Sequence, residues 1–509
     1  MSLSSLHKWQ RVMLFGLILA LPLGTLPKAF SIPGLGQSLY NYFLTIGLML
    51  VAYEYVKYGF TIEKKVKIFF TVYIIWQIVC LIHGLYIYQF NELLTIDQIP
   101  KLEMILNKLN AIGINIDQLI AIKIWLFIHF TKSIIFINNT VFLALFFVYH
   151  LYKNNFEQAF KDIRKAAITL VIVMGIYSFF ELLWLKLSLP FAEKILIMIN
   201  PLLYDPVSTH GWWPPLLWFN QLRSLCMEPS FFGVISIFVL PALWSKIFEK
   251  NSSKYYYILI FYFTIMVFAT NARTAIILTS IELLLLMIFA CLNKSLLKKS
   301  LIILLVSIIS FSFNLIDFKM IFNIQTEDTS YLSSISTYVE SNVVSISDKS
   351  SRSNGARLYH LLANINTIKE YPITGVGTSL ESAYLDNNLP EGASENSEVK
   401  NNWHRYLYEK GVLLSPYPSL NKYAEVCVEN GIIGLLLYLL LPAYLIYYII
   451  KCRKIFFIDI KYIALVISMI GLLLAQVSNS SLVVCNGIIW GVLYCKINDI
   501  RSNQKLVDK

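Results

Sequence analysis

Charged residues are scarce in this chain: Asp, Glu, Lys and Arg together make up 14% of its 509 residues, against roughly 25% in an average soluble domain. A chain so poor in charge cannot cover a water-facing surface of its own, which excludes an ordinary soluble enzyme. Cysteine is sparse as well. The seven cysteines fall within or beside apolar runs, as Cys80, Cys291, Cys452 and Cys495 do, with no paired spacing, so neither a disulfide framework nor a thiolate metal site is expected. Among the histidines, His210, His360 and His404 lie in polar stretches, but none has a partner at metal-ligand spacing, and no metal or other cofactor is expected. Acidic residues number 31 against 42 Lys and Arg, a net charge of +11. Most of that excess sits in short loops between apolar runs, so the charge reads as membrane topology and not as a nucleic-acid surface.

What is abundant is apolar: 57% of the residues are hydrophobic and the mean hydropathy is +0.62. Most of this content falls in runs long enough to cross the roughly 30 Å hydrocarbon layer, which takes about 20 residues of helix. Open sheet is excluded there, because unpaired backbone groups cannot be satisfied in lipid. The expected fold is therefore all-α, a polytopic integral membrane protein of about 12 transmembrane helices with one large extracytoplasmic loop containing short helices. The spans are expected at 11–30, 39–58, 66–88, 122–150, 166–188, 229–248, 254–271, 273–292, 299–316, 423–450, 460–477 and 480–496. Basic residues accumulate in alternate loops: Lys64, Lys65 and Lys67; Lys153, Lys161, Arg164 and Lys165; Lys246, Lys250 and Lys254; Lys294, Lys298 and Lys299; Lys451, Arg453, Lys454 and Lys461; and the tail from Lys496. Short basic loops stay in the cytoplasm, which places both termini there. The chain thus divides into helices 1–188, an outer loop 189–228, helices 229–316, a large outer loop 317–422, helices 423–497 and a cytoplasmic tail 498–509.

Three polar segments interrupt the hydrophobic pattern, all on the outer side. In 89–121, Leu93, Ile96, Ile99, Leu102, Ile105 and Leu106 are spaced for one helical face; the segment reads as a packed amphipathic connector, with a helix lying in the interface as the alternative. In 189–228, Tyr204, His210, Trp212, Trp213 and Trp218 precede Arg223 and Glu228. These rings fit an aromatic belt at the headgroups and equally a stacking surface for sugar, with Trp213 as a candidate. In 317–420, far longer than a connection needs, Arg357 to Ile368 reads as an amphipathic helix with Leu358, Leu361, Ile365 and Ile368 on one side, ended by Tyr371-Pro372 and Gly375-Val376-Gly377.

Charge at the edge of a membrane invites explanation. Arg223 precedes a span, Arg273 occupies the minimal turn Thr270-Asn271-Ala272-Arg273-Thr274, and Arg357 begins the loop helix. Each guanidinium is a planar fork suited to phosphate; snorkelling to headgroups is the plainer role. Glu228 stands before Pro229 at the start of a span, where it fits a helix cap or a general base acting on a sugar hydroxyl.

The run Arg223-Ser-Leu-Cys-Met-Glu228-Pro-Ser-Phe-Phe-Gly233 resembles the Arg and Glu-Pro-Ser pattern of bacterial O-antigen polymerases. Asn271-Ala-Arg273-Thr-Ala275 is similar to the Ser-Arg-Thr-Ala turn of the wider O-antigen ligase and polymerase superfamily of membrane glycosyltransferases. Arg357 through Glu370-Tyr-Pro-Ile-Thr-Gly375-Val-Gly377, and Asn421 through Glu429-Asn-Gly431-Ile-Ile-Gly434, resemble its loop helix and its C-terminal signature. The resemblance covers roughly residues 200–500. Ligases of that superfamily carry His before the Asn of the last signature, where this chain has Leu420, which favours the polymerase. The resemblance implies a repeat-unit polymerase, making O-antigen or capsular polysaccharide, at the bacterial inner membrane. Its donor and acceptor would be undecaprenyl-diphosphate-linked oligosaccharides in membrane lipid, with a chain-length regulator and a flippase as partners. The implied reaction is metal-independent inverting transfer: Arg223, Arg273 and Arg357 surround the diphosphate, Glu228 acts as base, and Asn421 and Tyr423 orient the acceptor. An O-antigen ligase and a lipid-linked oligosaccharide flippase are the alternatives; the flippase would call for charges within several spans and an internal repeat.

Overall fold

The computed structural model describes residues 2–32, 34–136, 138–153, 155–204, 215–316 and 352–507, and helix is the only extended secondary structure among them. The first group is α1 (Leu3–Leu19), α2 (Leu39–Tyr58), α3 (Lys64–Ile87), α4 (Pro100–Ala111), α5 (Gln118–Ile135), α6 (Thr140–Tyr152), α7 (Phe156–Leu187) and α8 (Pro190–Leu203). Next come α9 (Pro229–Ile247), α10 (Tyr255–Ala269), α11 (Arg273–Leu292) and α12 (Leu297–Leu315). The remainder is α13 (Arg352–Glu370), α14 (Glu381–Asn387), α15 (Arg405–Lys410), α16 (Lys422–Lys451), α17 (Ile460–Ala475) and α18 (Val484–Val507).

Among the described residues, seven stretches are long and apolar enough to cross a membrane: Lys64–Ile87, Gln118–Tyr152, Phe156–Leu187, Pro229–Ile247, Arg273–Leu292, Lys294–Leu315 and Lys422–Lys451. Tyr255–Ala269 and Ile460–Ala475 are shorter apolar helices. This is a polytopic, all-helical membrane protein. Some local expectations change. The run 11–30 is α-helical only as far as Leu19, with a single 3-10 turn at Lys28–Phe30; the α-helix ends just ahead of Pro22, which lacks a backbone donor. The run 122–150 is broken between α5 and α6, where the Asn139 amide donates to Ile134 O at 2.6 Å and to Gln77 Oε1 at 2.7 Å; such a side chain competes with the helical ladder for backbone partners.

Two apolar cores divide the molecule. The larger lies within the bundle and joins α1, α2, α6, α7, α9, α10, α11, α17 and α18 through residues such as Phe142, Met174, Phe238, Trp244, Phe263, Leu472 and Trp490. The smaller builds a lobe at one end, where the tips of α3 and α5 meet α4 and residues 356–428 around Leu85, Phe90, Leu102, Leu126, Ala363, Tyr384, Trp403 and Leu407. The 89–121 segment is packed into this lobe by Leu93, Ile99, Leu102 and Leu106, whereas Ile105, expected on the same face, is exposed. Opposite the lobe, Arg164 pairs with Glu249 at 2.6 Å, Lys461 with Glu157 at 2.9 Å, and Lys299 Nζ donates to Ile247 O at 2.7 Å. The basic loops therefore gather at one end of the bundle and the polar lobe at the other.

The inward face of α13 differs from the expected one. Ala356, His360, Ala363, Asn364 and Thr367 are buried, while Leu361 and Ile365 are exposed. These inward residues are small or polar: His360 and Asn364 hydrogen-bond each other, and the His360 ring packs against Trp403.

Candidate functional site

The short turn between α10 and α11 is closed locally: Thr270 Oγ1 donates to Val267 O at 2.6 Å and accepts from Ala272 N at 3.1 Å. Asn271 takes a left-handed φ of 47°, which Asn tolerates better than most residues. Its side-chain amide donates to Asn220 O at 2.8 Å, and Leu222 N donates to Ala269 O at 3.0 Å. The loop 215–228 is thereby stitched to the turn that carries Arg273. Arg223 serves the same loop: it is fully buried, its Nη1 and Nη2 each donate at 2.9 Å to the carbonyls of Pro215 and Leu216, and its guanidinium lies 4.2 Å from the centre of the Tyr204 ring. Glu181 of α7 lies beneath and accepts from Ser224 N at 2.7 Å.

Arg273 begins α11, and its Nη1 donates to Asn354 Oδ1 of α13 at 2.5 Å. Arg357, one turn further along α13, donates from Nη1 to Ser478 O at 3.2 Å and is otherwise exposed. The two guanidiniums are close enough to repel each other, and among the described residues neither forms a salt bridge. Like charges held close, with neither in a salt bridge among the described residues, make a site that an anion relieves. Glu228 sits at the edge of this pair as the N-cap residue of α9, with extended backbone and no side-chain bond to the helix amides. Its Oε2 instead accepts from Ser230 Oγ at 2.8 Å. Burial raises the Glu228 carboxyl above its ordinary pKa, the Ser230 hydrogen bond and then the Arg357 charge oppose the rise, and Glu398 adds to it.

A second polar group continues from α13 into α16. His360 Nδ1 accepts from the Asn364 amide at 3.0 Å, and burial lowers its pKa to about 4, with Glu425 opposing and Arg357 adding. A neutral imidazole with Nδ1 accepting carries its proton on Nε2. Lys422 pairs with Glu425, which also accepts from Ser419 Oγ. Glu381 lies beside Glu429; burial and the Glu425 charge raise Glu381 to about 7, opposed by Lys422. Two carboxyls this near each other favour a shared proton.

The two glycine signatures lock together at this point. Val376 N donates to Val428 O at 2.9 Å, Gly377 N to Glu429 O at 3.0 Å, and Ile432 N to Pro372 O at 2.9 Å. Gly431 breaks α16 with φ 67° and ψ −178°. A Cβ there would fall 1.8 Å from Ile373 O, and one on Gly375, whose φ is 63°, would fall 2.2 Å from Val428 O. Only glycine fits either position, and the turn threads into the break so that Glu429 Oε1 accepts from Ser379 N at 2.7 Å.

Arg273 and Arg357 thus lie within reach of each other's charge, and Glu228 within reach of that of Arg357. Arg223 lies in the adjoining loop and is spent on its carbonyls. Asn421 caps α16, accepting from Tyr423 N and Ala424 N at 3.0 Å each, and Tyr423 donates its hydroxyl to Leu473 O at 2.7 Å. Trp213 lies outside the described residues. Sequence reasoning missed Asn354, Glu381, Lys422 and Glu425, and left His360 without a partner. The spacing Lys422, Glu425, Glu429 on one helical face was a usable signal; the meeting with Glu381 was not visible at any spacing. Among the described residues, no three His, Cys, Asp or Glu side chains gather as a metal site requires.

Fold and site together define a multi-pass membrane protein with an anion-receptive polar site between its bundle and a helical lobe. Residues 258–439 match the family model described as O-antigen ligase, and the match supports membership of the O-antigen ligase/polymerase superfamily. The matched stretch includes Arg273, Arg357 and both glycine signatures. No curated protein matches the chain.

Proposed function

We propose that the chain is a polymerase joining undecaprenyl-diphosphate-linked oligosaccharide repeat units into O-antigen or capsular polysaccharide. It acts at the outer face of the bacterial cytoplasmic membrane, with the lobe outside and both termini inside. The observation that carries this reading is the convergence of Arg273 and Arg357, from different elements, beside Glu228. In the reaction, Glu228 takes the proton of an acceptor sugar hydroxyl as that oxygen attacks the anomeric carbon of the donor. The bond to the diphosphate breaks with inversion, and its charge passes to the two guanidiniums. Charge-assisted bonds of about 1.5–3 kcal/mol each make this pair sufficient to favour the leaving group without a metal ion. Arg223 supports the reaction indirectly by holding the loop on which Glu228 stands. Glu381, Glu429 and Lys422 brace the lobe against α16.

The description of the matching family as a ligase supports transfer of finished glycan as the second reading, whereas Leu420 in the ligase histidine position supports the polymerase. The deciding experiment compares the surface glycan of a strain lacking this protein with strains carrying wild type or Arg273→Ala, resolved by size on a gel. A single repeat unit on its anchor in both the deletion and Arg273→Ala strains is the expected result. Long polymer held on undecaprenyl lipid would make the protein a ligase, and repeat units retained on the cytoplasmic leaflet would make it a transporter.

A further inference from the structure

Beyond the arginine pair, the lobe carries a second arrangement of side chains. The segment Val399–His404 is a π-helical turn that runs into α15, and such turns re-aim side chains and recur at functional sites. Its last two residues point in opposite directions. Trp403 is buried, its ring 5.9 Å from that of His360 and 5.7 Å from that of Tyr417. It fastens the segment to α13, the helix that bears Arg357. The side chain of His404 is 51% exposed.

His404 is nevertheless held. Its Nδ1 lies 2.8 Å from Oδ1 of Asp386, whose side chain is only 4% exposed. A carboxylate only accepts, so Nδ1–H donates, and Nε2 is left as the ring's other hydrogen-bonding atom. Asp386 also accepts from the Tyr417 hydroxyl, so the buried carboxylate has a partner without the histidine. Tyr408 lies one turn on, 51% exposed, with its ring centre 4.7 Å from that of His404. Packing of the lobe does not explain an oriented imidazole beside a half-exposed aromatic ring, because neither closes the core. The combination is what a saccharide takes: its C–H face lies on an aromatic ring while a fixed polar atom beside the ring bonds one hydroxyl.

We propose that Asp386, His404 and Tyr408 form a saccharide subsite on the lobe, binding a pyranose residue of the oligosaccharide chain. This rests on the polymerase or ligase reading and deepens it. The arginine pair holds the diphosphate, and the subsite holds sugar. Tyr408 supplies the stacking face, His404 Nε2 hydrogen-bonds a sugar hydroxyl, and Asp386 positions the imidazole without touching the sugar.

The test uses the full chain in lipid nanodiscs and, as probe, the oligosaccharide freed by mild acid from the source strain's lipid-linked pool. Saturation-transfer NMR gives its dissociation constant, and undecaprenyl diphosphate binding is measured in parallel. His404→Ala and Tyr408→Ala are each expected to weaken oligosaccharide binding at least tenfold and to leave undecaprenyl diphosphate binding unchanged; Arg273→Ala is expected to do the reverse. His404→Gln, which keeps an acceptor, is expected to recover part of the loss. In the wild type, the oligosaccharide should protect His404 from carbethoxylation, a reading that stands even where a variant misfolds. Unprotected His404, or affinities within twofold of wild type in both alanine variants, overturns the proposal. If the oligosaccharide fails to bind while undecaprenyl diphosphate binds in an Arg273-dependent way, the subsite alone falls. If neither ligand binds, the functional reading falls with it.

Discussion

Replacing Gly375 by alanine isolates the contact on which the lobe's position depends. Two costs add at this residue. The φ of 63° places an L side chain in the left-handed region, worth about 1–2 kcal/mol. The new methyl would also lie 2.2 Å from Val428 O and 2.7 Å from the carbonyl carbon of Glu429. Both are backbone atoms that cannot rotate away, and displacing them costs about 1–3 kcal/mol more. The total of roughly 2–5 kcal/mol falls on the hydrogen bonds from Val376 and Gly377 to α16. Gly34 provides the control: its φ is 89°, but a Cβ there meets nothing within 4 Å, so Gly34→Ala bears only the backbone cost. Thermal unfolding of the purified protein in detergent should show a loss for Gly375→Ala at least twice that of Gly34→Ala. Glycan synthesis should fall with it, because Ser379 and Glu429 separate. Equal melting temperatures for the two variants would refute the threading of this turn into the break of α16.

Glu381 predicts a pH dependence of opposite sign to that of most carboxylates. Its folded pKa stands at about 7 against an ordinary 4.5, so the folded state holds the proton more tightly and stability should fall as pH rises from about 4.5 through 7. Glu381→Gln should flatten that slope, removing on the order of 3 kcal/mol of the difference; an unchanged melting-temperature profile between pH 4.5 and 8 would count against the raised Glu381 carboxyl. Glu282, inside α11, packs beside Ile237 and Gly471, and neither carboxyl oxygen finds a hydrogen-bond partner among the described residues. Glu282→Met keeps the volume and removes the orphaned group, so the melting temperature should rise, by the equivalent of about 1–3 kcal/mol. A loss of stability would show that the carboxyl has a partner in the membrane.

Several features were legible in sequence because they depend on local chemistry. Apolar runs long enough to cross lipid can be little else than helices, and the basic loops announce which ends of those helices belong together. Pro229 after Glu228 marks a helix start, and the glycines at 375, 377 and 431 mark places where a side chain cannot be accommodated. Arg273 stood out because a two-span turn leaves a guanidinium nowhere to go but the membrane surface.

Tertiary structure decided the rest. Leu358, Leu361, Ile365 and Ile368 are spaced for one helical face, yet α13 turns Ala356, His360, Ala363 and Asn364 inward, where small size and a hydrogen bond between His360 and Asn364 take the place of apolar bulk. Arg223 looked equivalent to Arg273 and Arg357. It is buried against the carbonyls of Pro215 and Leu216, and no spacing in the sequence distinguishes a guanidinium that folds onto its own loop from one that faces a ligand. The meeting of Glu381 with Glu429, and of Asp386 with His404, joins residues whose separation in the chain carries no periodic signal. Sequence alone determined that this is a helical membrane protein with its chemistry at one face, since transfer into lipid acts residue by residue. Which charges meet at that face depended on how the lobe docks, a matter of packing between distant segments.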